Sequence, residues 1–319
     1  MHESQKKQPS QPVTVGMAIA AFLERCGVKA AFGVISIHNM PILDAFGERG
    51  QLRFVPARGE VGAANMADAY ARVTGGLGVC VTSTGTAAGN SMGAMVEALT
   101  AGTPLLQITA QIESPYLDRD LGYIHEATHQ LEMFKTVTKA AFRVHKPEMA
   151  VPTLREAVRV AMTAPAGPVA VEIPIDIQKA LLDEMPQTEP APLDWAPALD
   201  SELDALADAL ARARRPLLWL GGGARNAGAA ARRLLDMGFG VISSVQGRGT
   251  IPEDDPRSLG AFTLAPDVED FYQSCDALLV VGSRLRSNET LTYRLKLPRS
   301  LKRVEVNPLK QGRCYPSEL

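Results

Sequence analysis

The chain is 319 residues long, 46% hydrophobic, 21% charged and 5% aromatic, which excludes a disordered or collagen-like polypeptide and fits two ordinary domains. Its 33 Lys and Arg against 35 Asp and Glu leave a net charge of −2, so no basic field is offered to nucleic acid or to an anionic membrane. No apolar run approaches the ~20 residues of a transmembrane helix, and four scattered cysteines without a CxxC pair point to a reducing, cytoplasmic compartment.

Met1 to Pro12 is polar and lacks an apolar segment, so it is expected to be a disordered tail and not a signal peptide. Val15, Ala18, Ile19, Phe22 and Leu23 then repeat at helical spacing, with Gly27 as the stop. Ala30 to Val34 predicts a buried strand and Phe54-Val55 a shorter one. Glu60 to Arg72 is an alanine-rich helix closed by Thr74-Gly75-Gly76. Gly78 to Thr82 predicts a strand, Thr86 to Ala101 a helix ending at Gly102, and Pro104 to Thr109 a strand. After an irregular stretch come a helix over Val151 to Ala164 and a strand over Pro168 to Ile173. Strict alternation of this kind predicts a parallel sheet with helices on both faces.

Residues 184–198 carry Pro186, Pro190, Pro192 and Pro197 among acids, the best linker in the chain. It separates a first domain, 13–183, from a second, 199–319. There the alternation restarts, with helices over Leu199 to Arg212 and Ala227 to Met237. Strands are expected at Leu217 to Leu220, Gly240 to Ser243, Ala277 to Val281 and Arg303 to Val306. The fold class is therefore α/β, with two doubly wound parallel-sheet domains. The second stops where such a domain could continue.

Three short motifs suggest chemistry. His125-Glu126-Ala127-Thr128-His129 matches HExxH, which on a helix can hold zinc, but no third ligand is marked and a polar surface or cleft segment is the better expectation. Gly221-Gly222-Gly223 lies between a strand and a helix, where backbone amides can cradle a phosphate. Position 226 is Asn, and no acid follows at the right distance, so an NAD-type oxidoreductase is disfavoured. Arg58-Gly59-Glu60 places an acid in a first helical turn, which the helix dipole alone would explain.

Taken together, the blocks carry more. Gly33-Val34, Arg58-Gly59-Glu60, AANMADAYARVT at 63–74, GVCVTSTGTAAGN at 78–90, Gln111 and PAGPVAVEIPIDIQ at 165–178 resemble the thiamine diphosphate enzymes of the acetolactate synthase superfamily. GGGA at 221–224, GRGTIPEDDPRSLG at 247–260 and ALLVVGSR at 277–284 resemble that family's central domain. The blocks keep the family's order from about Val13 onward.

The resemblance implies that Glu60 hydrogen-bonds N1′ of the cofactor's aminopyrimidine. This drives the 4′-amino group toward its imino form and so removes the proton from thiazolium C2. It also implies that Gly85, Thr86 and Asn90 belong to the segment beside the pyrimidine and that Gln111 lines the site. Gly222, Gly223 and Arg284 are where FAD would lie if it is bound. Gly59 stands where many members have His, Thr86 where they have Pro, and Ile35-Ser36 where they have Pro-Gly. The last change makes His38 a candidate substrate contact, an ordinary loop histidine being the alternative. These departures weigh against a true acetolactate synthase and leave another 2-oxo acid or an acyl-CoA as substrate.

The family binds the diphosphate and Mg²⁺ through a C-terminal domain bearing Gly-Asp-Gly, and no Gly-Asp-Gly occurs in this chain. The resemblance therefore implies a decarboxylase or carboligase whose Mg²⁺ ligands come from elsewhere, in a further domain or a separate chain. It also implies a homodimer or tetramer. The competing expectation is a non-catalytic nucleotide-binding or regulatory remnant of the fold.

Overall fold

The computed structural model describes residues 12–193 and 197–318. All but Pro12 of the expected N-terminal tail lies outside that range, as do three residues of the proline-rich stretch. The chain divides into two compact units after Trp195.

The first unit contains β1 (Val13–Thr14), α1 (Val15–Arg25), β2 (Ala30–Gly33), α2 (Met40–Arg49), β3 (Arg53–Pro56), α3 (Glu60–Thr74), β4 (Gly78–Thr82) and α4 (Thr86–Ala101). It continues with β5 (Leu105–Gln111), α5 (Gln130–Val137), β6 (Ala140–Arg143), α6 (Ala150–Met162), β7 (Val169–Pro174), α7 (Ile175–Lys179) and β8 (Leu181–Leu182). Six strands form a parallel sheet in the order β3-β2-β4-β5-β7-β6. β1 and β8 pair antiparallel beside it.

Every residue of β4, β5 and β7 is buried, because helices cover both faces of the sheet. Alternate side chains of β4 serve the two faces. Val79 and Val81 pack with Ile19 and Phe22 of α1, Phe46 of α2 and Leu154 of α6. Cys80 packs on the other face with Ala63 and Ala67 of α3 and Ala94 and Ala98 of α4. The small residues there reflect a close approach: a Cβ on Gly78 would lie 2.3 Å from the Ala67 carbonyl oxygen. Burial raises the Cys80 thiol far above its ordinary value, so Cys80 is a packing residue and not a nucleophile. Helix α3 ends where its sequence stop signal lies, with Gly75 in the left-handed region at φ 70° and its N–H donating to Ala71.

Besides the short β1, α7 and β8, three regions of the first unit depart from the sequence expectations. Helix α2 begins with Pro41 in its first turn but contains Gly47, which interrupts its apolar pattern. α5 and β6 occupy the stretch expected to be irregular; each is short, and Gln130 and Phe134 of α5 are buried by tertiary contacts. The proline-rich stretch, expected to be a linker, is held to the first unit where it is described. Arg25 donates to the carbonyls of Pro186 (2.8 Å) and Thr188 (2.9 Å), and Arg155 to that of Glu189 (2.9 Å).

The second unit contains α8 (Asp200–Ala211), β9 (Pro216–Leu220), α9 (Gly228–Asp236), β10 (Gly240–Ser243), α10 (Pro266–Ser274), β11 (Ala277–Val281) and β12 (Leu301–Val304). Its four strands form a parallel sheet in the order β10-β9-β11-β12. Leu217 and Trp219 of β9 pack on one face with Tyr272 of α10, and Leu218 and Leu220 on the other with Ala231 and Leu235 of α9. Helix α10 was not expected, although Pro266 and the acids Asp267 and Glu269 form its first turn. β12 begins two residues before the expected strand. Both units are thus doubly wound parallel sheets. Among the described residues no helix is long and apolar enough to cross a membrane.

Candidate cofactor site

Parallel sheets bind ligands at the carboxyl ends of their strands, where successive connections run to opposite sides and the loops part. In the first unit this happens at β2 and β4: the chain leaves β2 for β3 on one side and returns to β4 on the other. Residues 34–39, 57–59, 83–85 and 112–129 are the loops at that end. The candidates Glu60, Gly85, Thr86, Asn90, Gln111 and His38 all lie on them or in elements they adjoin.

Glu60 is the first residue of α3, where the helix dipole favours a carboxylate. Asn90, on the exposed face of α4, donates from Nδ2 to Glu60 Oε2 at 3.1 Å. Glu60 is half-buried, and its Oε1 has no hydrogen-bond partner among the described residues. The structure therefore brings two of the candidates, Glu60 and Asn90, together. Thr86 opens α4 and is exposed.

Gly85, just before it, has φ 59°, a conformation that disfavours any side chain. A Cβ there would lie 2.1 Å from the His125 carbonyl oxygen, so the 112–129 loop packs directly on this turn. Gln111, at the end of β5, is 2% exposed; its Oε1 accepts from Thr84 Oγ1 (2.7 Å) and from the Ile112 N–H (2.8 Å). Its Nε2 has no protein acceptor among the described residues.

His38 is buried, with Nδ1 3.4 Å from Ser83 Oγ, which is itself 2.7 Å from Ser36 Oγ. Gln178 donates to the His38 carbonyl at 2.9 Å, and the His125 ring lies edge-on at 6.3 Å. Burial and the neighbouring His125 lower the His38 pKa, with Glu113 opposing, so the imidazole is neutral at neutral pH. The candidate substrate contact thus sits in a built polar cluster at the same sheet end.

HExxH does not have the helical form that zinc binding needs. His125 has φ 61°, and α5 starts only at Gln130. Glu126 instead accepts the backbone N–H groups of Asp120 (3.1 Å) and Tyr123 (2.9 Å), which folds the loop back on itself. Among the described residues no three His, Cys, Asp or Glu side chains gather into a metal site.

Sequence reasoning missed Gln130, Arg143 and Glu172. Gln130 and Glu172 are fully buried, and Gln130 Nε2 donates to Glu172 Oε1 at 2.8 Å. Arg143 Nε donates to Glu172 Oε2 at 2.7 Å and its Nη1 to Asp118 at 2.6 Å. Burial raises the Glu172 pKa, and Arg143 and Gln130 pull it back. A glutamate inside the apolar VAVEIP strand was the one available signal.

In the second unit the parting loops follow β9 and β11. Gly221 and Gly223 donate to the carbonyls of Val281 (2.9 Å) and Gly282 (3.0 Å), and Ala224 to that of Gly221. Helix α9 starts only at Gly228, after a single 3-10 turn. Two of the three amides offered to a phosphate by the sequence therefore hold the loops together. A Cβ on Gly222 would lie 3.1 Å from that of Gln246, and Arg284 is exposed on the β11 loop.

Comparison with known proteins identifies both units. The thiamine pyrophosphate enzyme N-terminal TPP binding domain matches residues 13–135, and the central domain of the same family matches 203–318. The chain belongs to the thiamine pyrophosphate enzymes. In this family's terms, the first unit holds the N-terminal TPP-binding domain, with Glu60, Gly85, Gln111 and Gln130 inside the matched range. The second holds the central domain, with Gly222, Gly223 and Arg284.

Relatives include the "probable 2-ketoarginine decarboxylase" of Pseudomonas aeruginosa, 32% identical over 97% of this chain and 56% of its own length. The "probable acetolactate synthase large subunit" of Methanocaldococcus jannaschii is 29% identical over 95% of this chain and 52% of its own. The acetolactate synthase isozyme 1 large subunit of Escherichia coli is 30% identical over 83% and 48%. The chain thus spans about half the length of the curated relatives it matches. A Cβ at Gly59 would meet nothing within 4 Å, so the absence of a side chain leaves open space before Glu60.

Proposed function

We propose that the chain supplies the pyrimidine-binding half of a thiamine diphosphate-dependent enzyme acting on a 2-oxo acid, as decarboxylase or carboligase. The observation that carries this is Glu60: a carboxylate at a helix start, at the parting of two loops, fixed through one oxygen by Asn90 and with the other unpartnered among the described residues. Such an acid can exchange a proton with a ring nitrogen. The donor set fits an aminopyrimidine, since Glu60 Oε1 and Gln111 Nε2 both lack partners among the described residues. When bound, thiamine diphosphate supplies an electron sink for the pair left as CO₂ departs.

The chain's own residues would then divide the work. Glu60 holds or releases a proton at the pyrimidine ring. Gly85, lacking a side chain, keeps the turn before Thr86 close to the ring. Neutral His38, anchored by Ser83, is a hydrogen-bonding group for the substrate. Mg²⁺ and the diphosphate would be held by residues outside those described, and a dimeric or tetrameric assembly would complete the site. FAD has less support, since the Gly221 and Gly223 amides already have acceptors. A 2-oxo acid is favoured over an acyl-CoA by the relatives, which are named for 2-ketoarginine decarboxylation and acetolactate synthesis.

The test is thiamine diphosphate titration and CO₂ release by the full-length enzyme with 2-ketoarginine and pyruvate. Glu60→Gln should leave the fold intact and lower turnover ~10²–10⁴-fold, the size of a lost acid–base contribution. Wild-type turnover in that variant would remove Glu60 from the role.

A further inference from the structure

Gln130 is fully buried, and both polar atoms of its side chain have partners. Its Oε1 accepts the Gly85 N–H at 2.6 Å and lies 3.1 Å from Thr84 Oγ1. Its Nε2 donates to the Ala110 carbonyl at 3.3 Å and to Glu172 Oε1 at 2.8 Å. The amide cannot flip, because Glu172 and Ala110 demand donors on one side and Gly85 demands an acceptor on the other. Glu172 is fixed in turn by Arg143, whose second nitrogen reaches Asp118 in the 112–129 loop. That loop carries His125, whose carbonyl packs against Gly85.

We infer that Gln130 is a positioning residue: backed by Glu172 and Arg143, it fixes the Thr84–Thr86 turn and the His125 loop as one rigid piece. Its functional part rests on the cofactor reading above, in which that turn lies beside the pyrimidine. The polarity of the network makes a sharp demand. If residue 172 becomes Gln, its amide must turn donors toward either Gln130 or Arg143, both already donors. Exchanging the two residues would not restore the match, since a carboxylate at 130 accepts from Gly85 but has no donor for the Ala110 carbonyl.

The experiment is hydrogen exchange at the Gly85 amide of the full chain, with amides of β4 and β5 as references for general loosening. One net hydrogen bond corresponds to ~2- to 13-fold, so Gln130→Met should speed Gly85 exchange about tenfold relative to the references. Glu172→Gln, which turns a donor toward a donor, should speed it about threefold. Unchanged Gly85 exchange in Glu172→Gln, or in a folded Gln130→Met, overturns the inference.

A second measurement separates it from the cofactor reading. The thiamine diphosphate concentration that half-saturates the full-length enzyme should rise about tenfold in Gln130→Met. An unchanged value, with the wild type responding to cofactor, overturns the functional role of the turn. A wild type that ignores thiamine diphosphate overturns the cofactor reading instead, while the exchange data still judge the network.

Discussion

The two units use the same device to opposite ends. Each has a parallel sheet whose chain reverses direction at one strand pair, β2/β4 in the first and β9/β11 in the second. In the first the loops there are furnished with polar side chains, the half-buried Ser36 and the buried His38, Ser83 and Thr84, hydrogen-bonded to one another or to Gln111 at the end of β5. In the second they are furnished with glycines that let backbone meet backbone. A Cβ on Gly221 would lie 2.2 Å from the Gly282 oxygen, and one on Gly247 2.2 Å from that of Leu220. The fold provides the crevice, and the residues on its loops decide whether it holds chemistry or closes on itself.

The contrast can be broken or sharpened by substitution. The largest expected effect is Glu172→Ala in the first unit. It leaves the Arg143 guanidinium, 9% exposed, without its buried partner, and such a break costs about 3–5 kcal/mol in chemical denaturation. A loss below about 1 kcal/mol would mean that the polar network is incidental to the first unit.

In the second unit Gly221→Ala forces backbone apart and should cost about 1–3 kcal/mol. Neutrality there would deny that the loops interlock. Gly89→Ala should act in the opposite sense. Its Cβ meets nothing within 4 Å inside α4, and a helix-interior glycine replaced by alanine adds about 0.5–1 kcal/mol, read as a higher Tm.

The smallest effect is pH-linked. His38 has a lowered pKa, so below the unfolded-state value of about 6.5 the unfolded chain binds more protons than the folded one. This contribution is complete above that pH and is lost as pH falls below it. His38→Asn should therefore flatten the drop in Tm between neutral and mildly acidic buffer. An identical pH profile in the variant would show that His38 is not held neutral.

How much was legible in the sequence follows from where each signal lay. The helices α1, α3 and α4 carry their own periodicity and glycine stops, and β4, β5 and β7 their continuous apolar runs, so both sheets could be expected from local pattern. Glu60 was legible because Arg58-Gly59-Glu60 lies in a block resembling a family, and Gln111 for the same reason. Helix α5 was not, because eight residues with two buried side chains give too short a pattern to rise above a loop.

Composition, alternation and ordered motifs thus determined the fold class and the family and singled out Glu60 as the candidate acid, since each is a property of residues near one another in the chain. Only the tertiary structure decided that Gln130, Glu172 and Arg143 form one network behind Gly85, that HExxH is no helix, and that the triple glycine joins two loops. Those facts depend on groups 29 to 60 residues apart meeting across a sheet, where burial removes water and every donor must find an acceptor in the protein.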